Sequence, residues 1–178
     1  MGKYIFCIIG ASGSGKTTIA NILESRYGLK QIQSFTTRPK RSPDETGHIF
    51  ITYPEFLKLK DICAYDRYNG YEYCATKEQI ENNDVYVVNP AGVKQLREKY
   101  DGEKRIITIF IKARLKERYL RMRDRGDPID VALSRVKNDA VEFKDYEKKC
   151  SFSIENSDKN TASEIADKIY AYICKFKR

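Results

Sequence analysis

Gly10-Ala11-Ser12-Gly13-Ser14-Gly15-Lys16-Thr17 is the stretch from which the rest of this chain is read. It follows an apolar run at residues 4–9. It precedes a segment in which Ile19, Ile22, Leu23 and Tyr27 recur at helical spacing. Strand, glycine-rich loop, Lys-Thr and helix together make the G-x-x-x-x-G-K-[ST] phosphate-loop pattern in its required context. Glycines let the backbone curl until successive N–H groups point at one anion, and the positive end of the helix dipole adds to them. Lys16 then reaches the outer phosphates as a mobile point charge, and the Thr17 hydroxyl is a ligand for Mg²⁺. These residues predict a site for a nucleoside triphosphate, with Thr18 in the same first helical turn.

Composition sets the frame around that loop. The chain has 178 residues, 41% hydrophobic and 33% charged, which suits one soluble domain able to bury about 70% of its extended surface. A net charge of +8 fits a nucleotide-binding enzyme, and a nucleic-acid binder would be basic too. The five cysteines include no C-x-x-C pair and stand beside a single histidine, so they read as reduced thiols of a cytoplasmic protein rather than a metal site. The apolar run after Met1-Gly2-Lys3 is too short for a signal-peptide core or a membrane span.

Taken in order, strands alternate with helices. A strand over residues 3–9 is followed by a helix from Lys16 that stops at Gly28, and a second strand over 30–35. A polar, proline-bearing loop comes next, then a short strand over 49–52 and a helix start at Thr52-x-x-Glu55. Asn69-Gly70 between two aromatic-rich runs, 62–68 and 71–75, predicts a hairpin. Thr76-x-x-Gln79 caps a short helix, and 85–88 is a buried-type strand. Residues 92–99 read as helix, and 105–111 as a β-branched strand. A basic helix spans 114–125, and a longer one 129–148. Residues 151–154 are a last strand, and Thr161-x-x-Glu164 opens a final helix. Such alternation predicts a parallel sheet with helices on both faces and ligands at the C-terminal strand edges.

Phosphoryl transfer needs in-line positioning and positive charge more than covalent chemistry from the protein. A second anion site is predicted at Ser34, Thr36, Thr37, Arg38 and Arg41, where two arginines stand three apart beside hydroxyls. Arg121 and Arg125 share a helix face, with Arg114 and Arg118 upstream. The break at 126–128 lets this segment close as a lid over the phosphates, and Arg135 can point back to the same place.

In these features the chain resembles the guanylate kinase family. The loop is similar to that family's G-x-S-G-x-G-K. Ser34-Phe35-Thr36-Thr37-Arg38-Pro39-Lys40-Arg41, followed by Glu45-x-Gly47, resembles its more specific S-x-T-T-R-x-x-R…E-x-G signature. Residues 68–76 are similar to its F-x-G-x-x-Y-G-T/S segment. Arg125-Gly126 and Arg135 fit its lid arginines. Asn156-Ser157-Asp158 resembles the stretch near the nucleotide base. The resemblance implies an α/β P-loop kinase fold: a parallel sheet flanked by helices, a small hairpin-containing NMP-binding insertion and a helical lid. One domain spans 1–178, with a core of about 1–35, 76–120 and 136–178, an NMP-binding region of about 36–75 and a lid of about 121–135.

The implied activity is transfer of the γ-phosphoryl of ATP, with Mg²⁺, to a nucleoside monophosphate, GMP or dGMP first among them. The implied partners exclude nucleic acid and membrane, in a monomer or homodimer. By this carry-over Gly10 to Thr18 and Asn156 bind ATP, and Thr17 also ligates the metal. Ser34, Arg38, Arg41, Tyr73 and Asn89 hold the acceptor. Lys16, Arg38, Arg121, Arg125 and Arg135 act on the transferred group. Departures cluster at base reading. Ala64 stands where the family has a glutamate, Cys74-Ala75 replaces Gly-Ser, and Val87 and Asn89 replace acidic residues. His48 takes the place of a tyrosine. Asp66 and Glu72 lie near Ala64, but neither is in register with the family's glutamate. A kinase of another phosphorylated small molecule and a non-catalytic binding module are the alternative readings.

Overall fold

The computed structural model of the chain describes residues 2–40, 43–68 and 70–176. Strand β1 (Tyr4–Ile9) lies at the centre of a four-stranded parallel sheet ordered β6-β1-β7-β8, with β6 at Val85–Val87, β7 at Arg105–Lys112 and β8 at Phe152–Glu155. The apolar run of β1 is continuous because both faces are covered, and its two-residue period divides the side chains between two cores. Ile5, Cys7 and Ile9 pack with Val93 and Leu96 of α4 (Pro90–Lys99). Phe6 and Ile8 pack with Ile19 and Leu23 of α1 (Lys16–Tyr27) and with Ile165, Ile169 and Ile173 of α7 (Ala162–Cys174). Each fully buried isoleucine contributes about 1.5–3 kcal/mol.

A second sheet, ordered β3-β2-β5-β4, stands beside the first. Its strands are β2 (Ser34–Thr36), β3 (His48–Phe50), β4 (Ile62–Tyr68) and β5 (Tyr71–Thr76). The expected strand over 30–35 divides between the two sheets. Gln31 makes an isolated parallel bridge to Val85 at the edge of the main sheet, and the chain then crosses into β2. The hairpin is present, with Tyr68 opposite Tyr71 and Gly70 at φ +82; Asn69 lies outside the described residues.

The capping signals are realised as reciprocal side-chain bonds. Thr52 with Glu55 opens α2 (Tyr53–Phe56), Thr76 with Gln79 opens α3 (Lys77–Asn82), and Thr161 with Glu164 opens α7. The basic helix is α5 (Leu115–Asp124), with Arg114 as its cap. The helix expected over 129–148 is shorter than its pattern. Helix α6 (Ile129–Glu142) ends at Phe143, Asp145 takes φ +56, and Tyr146–Lys149 form a separate 3-10 turn. A left-handed residue breaks the helical hydrogen-bond series, which a periodicity of side chains does not reveal.

Candidate active site

The phosphate loop joins β1 to α1 at the C-terminal edge of the parallel sheet, as its sequence requires. Gly13 and Gly15 have φ of +75° and +92°. A Cβ on Gly13 would lie 2.4 Å from the backbone oxygen of Arg118, and one on Gly15 would lie 2.4 Å from Nδ2 of Asn156. Both the backbone conformation and the close approach therefore select glycine. Asn156, just past β8, is buried and donates from Nδ2 to the Ser14 carbonyl at 2.8 Å, so its amide supports the underside of the loop. Ser14 Oγ, also buried, has no hydrogen-bond partner among the described residues. Thr17 and Thr18 are exposed at the start of α1.

Lys16 donates from Nζ to the carbonyls of Gly10 at 2.6 Å and Ala11 at 3.0 Å. Burial pushes its pKa down to about 8; the Asp139 carboxylate opposes that shift and Arg118 adds to it. Asp139, on the buried face of α6, accepts from the Ser12 amide at 2.8 Å and faces the Ser12 hydroxyl at 3.4 Å. Arg118 on α5 pairs with the same carboxylate and donates from Nε to the Ser12 carbonyl at 2.9 Å. Asp139 escapes sequence reasoning because no motif contains it. The available signal is a carboxylate seven residues after the buried Ala132, on the inward stripe of α6.

The other arginines separate into two groups. Arg121 donates to the Asn156 carbonyl at 3.3 Å and pairs with Asp158 at 3.3 Å, beside the loop after β8. Arg125 and Arg135 meet at Asp127, in the turn between α5 and α6, at 2.6 Å and 3.7 Å. Asp127 thus ties the two helices of the expected lid together.

The residues expected to hold a second anion gather around Arg38. Its guanidinium pairs with Glu45 through two nitrogens, at 2.7 and 3.2 Å, and donates to the Pro39 carbonyl at 2.8 Å and from Nε to the Tyr73 hydroxyl at 3.2 Å. It lies 5.3 Å from the centre of the Phe50 ring. Glu45, named in sequence only as part of a signature, sets the orientation of Arg38. Arg41 lies outside the described residues. Asn89 caps α4 by accepting from the Gly92 amide at 2.8 Å, and it donates from Nδ2 to Asp66 at 3.0 Å.

Strand register aligns the second sheet's inner face. Phe50, Thr36, Tyr73 and Asp66 stand in one row across its four strands; His48 and Ser34 stand in the next, at the level of Ala64 and Ala75. This face lines a cavity of about 210 Å³, which also reaches Lys16, Tyr86 and Asn89. A second cavity of about 280 Å³ takes in Thr17, Arg38 and Glu45, and the two share Ser34, His48, Tyr73 and Val87. One cleft therefore runs from the phosphate loop to the Arg38 cluster.

A family model described as AAA domain matches residues 6–142. Among curated proteins, the chain is similar to the guanylate kinase of Bartonella henselae, 25% identical over 183 residues covering 94% of this chain and 80% of the relative. It is also similar to that of Fusobacterium nucleatum, 28% identical over 166 residues covering 86% and 88%. Among solved structures, a guanylate kinase from Anaplasma phagocytophilum superposes with a TM-score of 0.67 at 20% identity, covering 98% of this chain and 87% of that one. An uncharacterized protein from Eubacterium ventriosum superposes with a TM-score of 0.53 at 15% identity, covering 97% and 99%. The loop geometry, the Arg38 cluster facing it and these matches lead to one conclusion: the chain belongs to the AAA-domain family and is similar to guanylate kinases over most of its length.

Proposed function

We propose that this chain transfers the γ-phosphoryl group of ATP to a nucleoside monophosphate, with GMP and dGMP the acceptors that its similarity to guanylate kinases favours. The observation that carries this reading is the shared cleft, whose lining joins Lys16 and Thr17 of the phosphate loop to Arg38 and Tyr73. Two anionic groups held in that cleft, one by the loop and one by Arg38, can be brought into line for transfer. The loop amides and Lys16 hold the donor phosphates. Arg38, fixed by Glu45 and Tyr73, presents its guanidinium to the acceptor phosphate, and Ser34 adds a hydroxyl beside it. Arg121, Arg125 and Arg135, on the helices over the loop, supply positive charge to the transferred group when those helices close.

The residues present fit Mg²⁺ as cofactor. Thr17 offers an exposed hydroxyl at the start of α1, and this ion keeps most of its ligands from phosphate and water. When bound, Mg²⁺ would supply positive charge to offset that of the donor phosphates. No helix among the described residues is long and apolar enough to cross a membrane, and Cys7, Cys63, Cys74, Cys150 and Cys174 are free.

The deciding experiment is ADP release measured across the common ribo- and deoxyribonucleoside monophosphates. Turnover with at least one is expected, and none with any would refute the proposal. Ala64 and Val87 line the cleft where the resemblance expects acidic residues, which favours a second reading, a kinase of another phosphorylated small molecule. Turnover of such a compound alone would select it.

A further inference from the structure

Resting on the kinase reading, we infer that Asp66 is the residue that selects the acceptor base, by taking one ring N–H of that base on its free carboxylate oxygen. Side chains on β4 alternate between the two faces of the second sheet, and cross-strand partners share a face. Asp66 stands opposite Tyr73, and Ala64 opposite Ala75. Asp66 therefore belongs to the face that carries Tyr73, Ser34 and His48 and lines the cleft. Tyr65 and Arg67 belong to the opposite face, and so does Glu72, which stands opposite Arg67. Glu72 is committed there: it accepts from the Tyr65 hydroxyl at 2.5 Å and pairs with Arg67 at 3.5 Å. A register shift between Ile62 and Ala64 sets this parity, since an irregularity of that kind changes which side of a strand each later residue faces.

Asp66 is thus the acidic side chain on the second sheet's cleft face among the described residues. Its Oδ2 accepts from Asn89 Nδ2 at 3.0 Å, and Asn89 is itself oriented by the Gly92 amide on Oδ1. That chain of bonds holds the carboxylate in the cavity lining through Oδ2, and Oδ1 of Asp66 makes no hydrogen bond among the described residues. Around it, Ala64 and Val87 are apolar, while Ser34 and Tyr86 carry hydroxyls. A half-buried carboxylate oxygen facing an apolar cavity accepts an N–H and repels a lone pair. Bases with a ring N–H on the edge that meets it, such as guanine, hypoxanthine, uracil and thymine, satisfy this requirement. Adenine, whose N1 is an acceptor, does not. Because one oxygen reads one N–H, the 2-amino group of guanine adds little, and GMP and IMP are expected to be accepted within about tenfold of each other.

The test compares wild type, Asp66→Asn, Asp66→Ala and Glu72→Gln in turnover and in calorimetric binding of GMP, IMP and AMP, with thermal unfolding to verify that each variant folds. Wild type is expected to favour GMP and IMP over AMP by about 100-fold or more in kcat/KM. Asp66→Asn, which can rotate its amide to donate, should shrink that preference by at least tenfold. Asp66→Ala should weaken all three acceptors towards a common value, and the ATP KM should stay within about twofold in every variant. Glu72→Gln should leave the preference unchanged. An Asp66→Asn enzyme that keeps the wild-type GMP-to-AMP ratio overturns the assignment, as does a Glu72→Gln enzyme that loses it. Wild type that neither turns over nor binds any nucleoside monophosphate overturns the kinase reading itself. Turnover that shows no preference among the bases overturns only the role of Asp66.

Discussion

Replacing Asp139 by alanine removes the carboxylate that joins Ser12 of the phosphate loop to Arg118 of α5. Asp139 is 7% exposed and the Arg118 side chain 11%, so this is a buried ion pair. Taking away one partner of such a pair leaves an uncompensated buried charge, which costs about 3–5 kcal/mol. The Ser12 amide also loses its acceptor, a smaller loss because water can enter the vacated space. A total near 3–5 kcal/mol is a large part of the roughly 5–15 kcal/mol expected for a domain. At this chain length each kcal/mol lowers Tm by about 2–4 °C, so Tm should fall by roughly 6–20 °C. Urea titration followed by circular dichroism measures the loss, and a double-mutant cycle isolates the pair. Exchanging both charges, Arg118→Met with Asp139→Leu, should recover most of the stability because neither charge is then buried alone. A single Asp139→Ala variant that loses less than about 1 kcal/mol would refute this reasoning. So would a double variant no more stable than the single one.

Two further outcomes concern the ends of the cleft. Lys16 is held at about 8 in the folded chain, against an ordinary value of 10.5. Between those values the unfolded chain carries a proton the folded chain lacks, so stability should rise with pH from about 8 to 10.5, and Lys16→Met should flatten that rise in pH-dependent thermal denaturation. ATP needs the ammonium form, so its Kd should increase above about pH 8, by up to about tenfold per pH unit, and binding near pH 8.5 should take up a proton, visible as a buffer-dependent enthalpy. Arg38→Ala should raise the acceptor KM and lower kcat while ATP affinity stays within about twofold; steady-state kinetics with direct ATP titration measures both, and a collapse of ATP binding would contradict two separate anion sites.

Local chemistry made much of the fold readable. The apolar run of β1, the Gly28 stop and the Thr-x-x-Glu or Thr-x-x-Gln starts of three helices each encode a conformation within a few residues. Where the pattern misled, a single backbone angle intervened. Asp145 at φ +56 divides the expected 129–148 helix, and side-chain periodicity carries no information about it. The route of residues 30–36 was likewise open, because a short extended segment pairs with either sheet and only the backbone bridge between Gln31 and Val85 decides where it leaves the first.

The candidate site divides in the same way. Gly10 to Thr17, Arg38 and Tyr73 could be nominated from sequence because phosphate binding uses residue types at fixed spacing, and the AAA-domain model that matches residues 6–142 spans all of them. The sequence alone determined the phosphate loop and its flanking strand and helix, since backbone curl, dipole and lysine lie within eight consecutive residues. Tertiary structure decided the rest. Asp139 reaches Ser12 across 127 positions of sequence, and Asp66 rather than Glu72 faces the cleft through a register shift in β4. Glu45 is spent on Arg38 and Asn156 on the loop floor. Each of these depends on which elements pack together and on the parity of a pleat, and those are properties of the whole fold rather than of any short stretch of chain.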